Sequence, residues 1–232
     1  MTRILFIHGY IEEPTVFDRL TSLLPPTEQI RINLADEFRR WKPSGSVNVR
    51  EVAQYVIDQY AVNADDVVIG HSMGGWIAAY VKELTGAAVV QIASWTNQKK
   101  ILFPTHNLSI LRVLFLSGLT QSRFFTELSV RQYPFDESRT FFQTLLSGSR
   151  QMDRRYLWFQ IQTLFAKVSP LSVQPELRIH ARPDNIIAPP DEPYVEVPGD
   201  HFSLVFHPDV VAAQINSLLS GSASGTRQRP DN

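Results

Sequence analysis

The fold is decided by residues 67–80, which read Val-Val-Ile-Gly-His-Ser-Met-Gly-Gly-Trp-Ile-Ala-Ala-Tyr. The apolar run at residues 67–69 is typical of a strand buried on both faces. From Trp76 onward the apolar residues fall at helical spacing, which predicts a helix with one buried face. Between the two lies a Gly-x-Ser-x-Gly motif at residues 70–74. A strand, a sharp turn and a helix are the setting in which this motif presents a nucleophilic serine, here Ser72.

Each part of the motif has a physical reason. A side chain next to a serine on so tight a turn would clash, and both flanking positions are glycine. The start of the following helix offers free N–H groups and the positive end of the helix dipole, which favour negative charge. An ordinary glycine-rich turn is the alternative interpretation. The predicted strand and helix on the two sides favour the nucleophile.

Composition limits the possible partners. The chain has 232 residues with a net charge of −1, which provides no long-range attraction for nucleic acid or an anionic membrane. It has no cysteine, so disulfides and cysteine metal sites are excluded. The N-terminus lacks the pattern of a signal peptide, and no apolar stretch reaches the length of a membrane span. We expect a cytoplasmic protein that binds neither nucleic acid nor membrane.

Strands and helices alternate along the first part of the chain. Apolar runs predict strands at residues 2–8, 29–34, 67–71 and 87–93. Helical spacing appears over residues 16–24 and again after Asn48, a plausible N-cap with Glu51 three residues on. Gly86 is expected to end the helix that follows Ser72. This alternation predicts a doubly wound, mostly parallel sheet with helices on both faces.

The alternation stops over residues 95–168. This segment has no convincing strand, but it has helical patches and many aromatic side chains. We interpret it as a helical cap inserted over the strand ends, with most of its aromatics in its own core. The rest are expected to line a substrate pocket, and the candidates are Trp95, Trp158 and Phe159.

The sheet pattern resumes at residues 177–181 and 193–197, and a closing helix is predicted over about residues 208–219. Residues 1–219 are therefore expected to form one domain that includes the cap. Residues 220–232 are polar and rich in glycine and serine, and we expect them to be a disordered tail.

A serine nucleophile needs a base, and the base needs an acid to orient it. In this topology, active groups lie on loops at the carboxyl ends of strands. His201 follows the last predicted strand and is the favoured base over His207, while the motif histidine His71 and the strand histidine His180 are interpreted as structural. The favoured acid is Asp184. Its rivals are Asp200, which adjoins the base and would struggle to reach the far side of its ring, and Asp191, which lies farther from a strand end.

With these motifs the chain resembles the α/β-hydrolase superfamily over nearly its full length. Residues 70–75 resemble its nucleophile elbow, residues 182–189 its acid loop and residues 198–202 its histidine loop. Residues 8–10 resemble its oxyanion loop, which implies that the N–H groups of Tyr10 and Met73 form the oxyanion hole. The chain lacks two leading strands common in the family, so we expect six parallel strands. It also departs in having Ala181 where glycine is usual and only a short linker between acid and base.

The sequence thus predicts a serine hydrolase that cleaves a small-to-medium carboxylic ester or thioester through an acyl-enzyme on Ser72. We expect neither a cofactor nor a metal. Two alternatives stay open. The same residues could serve a C–C bond hydrolase, a lyase or an acyltransferase, or the chain could be a ligand-binding protein with little turnover.

Overall fold

The centre of the molecule is a six-stranded parallel sheet. The computed structural model describes residues 3–224, and the strand order is β2-β1-β3-β4-β5-β6. Every neighbouring pair in this order is parallel. The strands are β1 (Ile4–Ile7), β2 (Gln29–Ile32), β3 (Val67–His71), β4 (Ala88–Ile92), β5 (Leu177–His180) and β6 (Val195–Glu196). The predicted number and direction of the strands are confirmed.

Helices cover both faces of this sheet. The helices in the core of one face are α3 (Val49–Tyr60), α4 (Met73–Thr85) and α8 (Arg154–Phe165), and those of the other are α1 (Asp18–Thr21), α9 (Ser203–Phe206) and α10 (Pro208–Ser224). Successive side chains of a strand point to opposite faces. In β1, Leu5 and Ile7 accordingly belong to the first core, and Ile4 and Phe6 to the second. The doubly wound arrangement is confirmed.

The helices that flank β3 begin and end as their sequences predict. The Asn48 side chain accepts the N–H groups of Arg50 and Glu51, and the Glu51 carboxylate accepts the Asn48 N–H, so a complete capping box starts α3. Gly86 ends α4 in the left-handed conformation, with φ of +78°. These local signals fix the helix that carries Ser72 at its start.

Helices fill the cap between β4 and β5. They are α5 (Leu108–Leu116), α6 (Arg123–Gln132), α7 (Asp136–Ser149) and the already described α8. An antiparallel bridge between Ile101 and Ile187 joins the start of this segment to the loop after β5. That bridge fastens the cap to the edge of the sheet where the predicted acid loop lies.

The structure differs from the prediction in three places. Helix α2 (Leu34–Trp41) was not predicted, although Asn33 caps it by accepting the N–H groups of residues 35 and 36. Residues 14–21 form a 3₁₀ turn followed by the single turn of α1, which is shorter than the helix predicted there. Helix α10 continues five residues past its predicted end, because no proline interrupts it. The remainder of the predicted tail, residues 225–232, lies outside the described residues.

No helix within residues 3–224 combines the length and the apolar character needed to cross a bilayer.

Candidate active site

Ser72 occupies a strained turn between β3 and α4. Its backbone has φ of +50° and ψ of −120°, a conformation that residues with a Cβ rarely adopt. A Cβ at Gly70 would collide with the backbone of Gly74 and Gly75, and a Cβ at Gly74 would collide with the Ile7 carbonyl. Both flanking glycines are therefore required by the space around the turn.

Hydrogen bonds hold this turn in place from the neighbouring strand. The Ser72 N–H donates to the Ile92 carbonyl at 2.9 Å. The Ser72 carbonyl accepts a 2.7 Å bond from the Ser94 hydroxyl and also the N–H groups of Gly75 and Trp76. The serine is 5% exposed, so its side chain lies in a nearly closed space above the carboxyl ends of the strands.

Asp184 and His201 form a buried pair at the same edge of the sheet. Nδ1 of His201 donates to Oδ2 of Asp184 at 2.7 Å. The other carboxylate oxygen accepts the N–H groups of Ile186 at 2.8 Å and Ile187 at 2.9 Å. Burial by itself would raise the pKa of the Asp184 carboxyl, but the charge and hydrogen bond of His201 and the Ile187 N–H hold it below its ordinary value. Asp184 is therefore kept ionised and oriented towards the imidazole.

The rival acids have other partners. Asp200 accepts the Phe202 N–H with one oxygen and the hydroxyls of Tyr133 and Ser138 with the other, so it links the histidine loop to the cap. Asp191 is largely exposed and pairs with Lys100. Among these three carboxylates, the structure brings Asp184 to the His201 ring.

The remaining histidines lie in other surroundings. His207 lies at the surface, with its Nε2 3.3 Å from the Glu137 carboxylate. His8 accepts the Leu34 N–H at Nε2 and donates from Nδ1 to the Gly9 carbonyl, and burial lowers its pKa. His106 contacts the Ile101 carbonyl in the cap. His180 is buried in β5, and burial lowers its pKa as well.

His201 reaches the serine turn through His71. The two rings lie 4.9 Å apart, and Nε2 of His71 donates to the His201 carbonyl at 2.9 Å. Among the described residues, no hydrogen bond joins the Ser72 hydroxyl to the His201 ring. Bonds of this kind are often long in free enzymes and tighten when substrate binds.

The loop after β1 passes directly against Ser72. A Cβ at Gly9 would lie 2.9 Å from the Ser72 Cβ. The Gly9 N–H donates to the Glu12 carboxylate at 2.6 Å, and the Ile11 N–H donates to the Gln160 side chain at 2.8 Å. Between them, the Tyr10 N–H has no acceptor among the described residues.

On the other side of the serine, Met73 is the first residue of α4. Its N–H is one of the groups that a helix leaves without an internal acceptor. The two N–H groups implied as an oxyanion hole, those of Tyr10 and Met73, therefore belong to the loop and the helix start that border Ser72.

The structure places the three predicted pocket residues in packed surroundings. Trp95 is buried and stacks on Trp76, with ring centroids 6.2 Å apart. Phe159 is buried against Phe38 and Trp41, so it belongs to the core under α2. Trp158 is partly buried against the same core.

Other cap residues touch the loop beside the serine. Phe115 packs edge-on against Tyr10, with centroids 6.4 Å apart, and Gln160 binds the Ile11 N–H as described. Sequence reasoning missed both of these residues and also Glu12. Gln160 carries no local signal, since its partner is 149 positions away. Glu12 lies two positions after the predicted oxyanion loop, and this position was the one signal in the sequence.

Within residues 3–224, no three histidine, aspartate or glutamate side chains are arranged to hold a metal ion.

Comparisons with known proteins identify the family and the fold of the chain. The sequence model of the alpha/beta hydrolase family matches residues 4–214, so the chain belongs to the α/β-hydrolase family. A comparison with curated proteins finds no match.

Solved structures show the same fold at low sequence identity. A hydrolase from Oleispira antarctica has a TM-score of 0.70 and 13% identity, covering 95% of this chain and 91% of that one. A protein assigned as an aryl esterase from Burkholderia cenocepacia has a TM-score of 0.65 and 13% identity, covering 96% and 91%. The RedJ thioesterase of the prodiginine pathway in Streptomyces coelicolor has a TM-score of 0.59 and 16% identity, covering 93% and 85%.

Proposed function

We propose that this protein is a serine hydrolase that cleaves a small-to-medium carboxylic ester or thioester through an acyl-enzyme on Ser72. The observation that carries the proposal is the convergence of three loops at one edge of the sheet. The strained serine turn, the loop of Asp184 and the loop of His201 meet there, and the last two are joined by the 2.7 Å hydrogen bond between their side chains.

In the proposed first step, the Ser72 oxygen attacks the carbonyl carbon while Nε2 of His201 accepts the hydroxyl proton. The carbonyl oxygen becomes an oxyanion held by the N–H groups of Tyr10 and Met73. The His201 imidazolium then gives its proton to the leaving alcohol or thiol, which leaves the acyl group on Ser72. Water repeats the sequence and releases the carboxylic acid.

The electrostatics of the site support this assignment of roles. Asp184 is ionised and bonded to Nδ1 of His201, so it stabilises the imidazolium that forms when Nε2 takes the proton. Ser72 directly precedes α4, so in the proposed reaction the backbone N–H groups and the positive dipole end at the start of that helix would stabilise the developing oxyanion. Each such N–H donor is typically worth about 10²–10³ in rate.

The substrate class has two supports. The family is a hydrolase family, and the similar structures include one assigned as an aryl esterase and one thioesterase. Phe115 packs edge-on against the ring of Tyr10 in the loop beside the serine, and an aromatic neighbour there suits an apolar acyl or alcohol group. An ester and a thioester need the same attack and the same oxyanion, so one site serves both.

The test is labelling of the purified full chain by a fluorophosphonate probe. We expect labelling of the wild type and its loss in Ser72→Ala, since the probe traps an activated serine. Ser203→Ala is the matched control, because Ser203 is a buried serine two residues from His201 and should leave labelling unchanged. Labelling that persists in folded Ser72→Ala would contradict the proposal.

A further inference from the structure

Glu12 and His71 form a second buried acid–imidazole pair beside the proposed triad. Nδ1 of His71 lies 2.9 Å from each oxygen of the Glu12 carboxylate. Glu12 is 3% exposed and His71 is fully buried. None of the steps proposed above uses either side chain, yet a buried charged group is costly unless it is paired.

The contacts of the His71 ring favour its charged form. Nδ1 faces the Glu12 carboxylate, and Nε2 faces the His201 carbonyl at 2.9 Å. Both partners are acceptors, and a neutral imidazole has one N–H to donate. The Gly9 N–H bond to the Glu12 side chain favours the ionised carboxylate. With Glu12 ionised, only the imidazolium of His71 satisfies both of its contacts.

The surrounding groups favour the same state. Burial alone would lower the pKa of His71, but the charge and hydrogen bond of Glu12, the His201 carbonyl and the charge of Asp184 together raise it. Burial alone would raise the pKa of Glu12, but His71, His201 and the Gly9 N–H lower it. His8 is the other titratable group that faces the pair, and burial keeps it neutral.

The pair also connects three loops of the site. Glu12 accepts the Gly9 N–H at 2.6 Å and so holds the loop of the proposed oxyanion donor Tyr10. His71 directly precedes Ser72, and its Nε2 holds the backbone of the base loop at His201. One ion pair thus spans the oxyanion loop, the serine turn and the base loop.

We propose that Glu12 and His71 act as a positioning ion pair that holds these three loops in the arrangement needed for acyl transfer. The proposal rests on the proposed serine-hydrolase function for its effect on rate. The Glu12–His71 pair carries no net charge. The His71 cation can therefore lie beside His201 without a net positive charge that would oppose protonation of the base. Loss of Glu12 removes the charge that keeps His71 protonated, so the ring would become neutral and give up one of the two contacts that hold the loops together.

The charge state can be tested without any reaction. Nitrogen-15 NMR of the histidine side chains in the full-length wild type should show both His71 ring nitrogens protonated at neutral pH. In Glu12→Gln the His71 ring should become neutral and lose one of these protons. A neutral His71 in the folded wild type would overturn the proposal, whatever the protein hydrolyses.

The effect on rate is tested by a double-mutant cycle of Glu12→Gln, His71→Gln and both together. Displacement of reacting groups by about 1 Å can cost about 10²-fold in rate, so we expect each single variant to lose about 10- to 100-fold in kcat with little change in KM. The double variant should lose no more than the worse single variant, because the two residues act as a unit.

Asp66→Asn is the control for loss of a buried ion pair in general. It breaks the Arg3–Asp66 pair, whose carboxylate is 4% exposed and which lies at the opposite end of the sheet. This variant should lose stability and keep its kcat.

Unchanged kcat in the folded Glu12 and His71 variants, or an equal loss in Asp66→Asn, would overturn the positioning role. If a single variant does not fold, the kcat of the double variant and the NMR spectrum of the wild type still test the proposal. If Ser72 is unreactive in the wild type, the proposed hydrolase function is contradicted. The NMR test of the charge on His71 does not depend on that outcome.

Discussion

The hydroxyl of Tyr133 donates a 3.2 Å hydrogen bond to the carboxylate of Asp200, the residue that precedes the proposed base His201. Tyr133 directly follows the cap helix α6, and Ser138 lies in the next cap helix, α7. The Ser138 hydroxyl donates to the same carboxylate oxygen of Asp200. The cap is thus bonded to the loop that carries the base. Asp200, a rival for the catalytic acid on sequence grounds, serves in the structure as this connection.

Removal of that connection should cost stability more than rate. A hydrogen bond to a charged group typically contributes about 1.5–3 kcal/mol, so Tyr133→Phe should lower the free energy of unfolding by about that amount or less, since Ser138 remains. Urea denaturation measures the loss, and kcat should stay near that of the wild type. A large fall in kcat with unchanged stability would show that Tyr133 takes part in the chemistry.

The ranking of the triad candidates gives a second prediction. A general base typically contributes about 10²–10⁴ in rate, so His201→Ala should lower kcat by that factor, and Asp184→Asn should cause a loss of similar size. His207→Ala and Asp191→Asn should change it little, because both residues have surface partners. Steady-state kinetics with a single ester substrate measures the loss of kcat in each variant. A larger loss in His207→Ala than in His201→Ala would reverse the assignment.

Asp184 should also shape the pH dependence of stability. Its carboxyl has a lower pKa in the folded chain than its ordinary value of 3.8. The stability that this shift contributes is present above the unfolded pKa and is lost as the pH falls through the folded one. Urea unfolding between neutral and acid pH should therefore show a decline below about pH 4 that is shallower in Asp184→Asn. Equal slopes for the two proteins would contradict the ionised, bonded state of Asp184.

Two glycines offer a matched test of the serine turn. Gly74→Ala should prevent folding or severely destabilise the protein, because its Cβ would strike the Ile7 carbonyl. Gly148→Ala in α7 meets no atom within 4 Å, and it should stabilise the protein by up to about 1 kcal/mol through helix propensity. Thermal unfolding of both variants measures the contrast. Tolerance of alanine at residue 74 would refute the tight packing described for the turn.

The cap should set substrate choice through Phe115. Phe115 packs on Tyr10 beside the serine, so Phe115→Leu should reorder the preference among esters of different chain length while Ser72 remains reactive to a small phosphonate. Phe159→Ala serves as a contrast. It removes a buried core ring and should cost about 3–5 kcal/mol of stability. An unchanged order of preference among esters in Phe115→Leu would show that Phe115 does not set substrate choice.

Part of this architecture could be predicted because its signals are local. The strand, the glycine-flanked serine and the helix after it lie within fourteen residues, and the strand-end positions of Asp184 and His201 follow from the rule for parallel sheets. The parallel order of the strands follows from the alternation of strands and helices. A catalytic motif of this kind can be recognised in a sequence because both its residue types and their spacing are constrained.

Other features could not be predicted, because they depend on contacts between distant segments. The partner of Gln160 is far away in the chain, and the pairing of Glu12 with His71 spans 59 positions. Phe159 was a candidate for the pocket because an aromatic in a helical pattern looks the same in a core as in a pocket wall. Its packing on Phe38 depends on α2, a short helix that the sequence pattern did not predict.

Rapid-quench mass spectrometry can detect the proposed acyl-enzyme on Ser72 as a covalent adduct. The full-length protein would be mixed with an activated ester or thioester, quenched in acid within the first turnover, digested and mapped. We expect an adduct with the mass of the acyl group on the peptide that contains Ser72, and we expect this adduct to be absent from Ser72→Ala. Turnover of the ester by Ser72→Ala at the wild-type rate, or an acyl adduct on another residue, would contradict it.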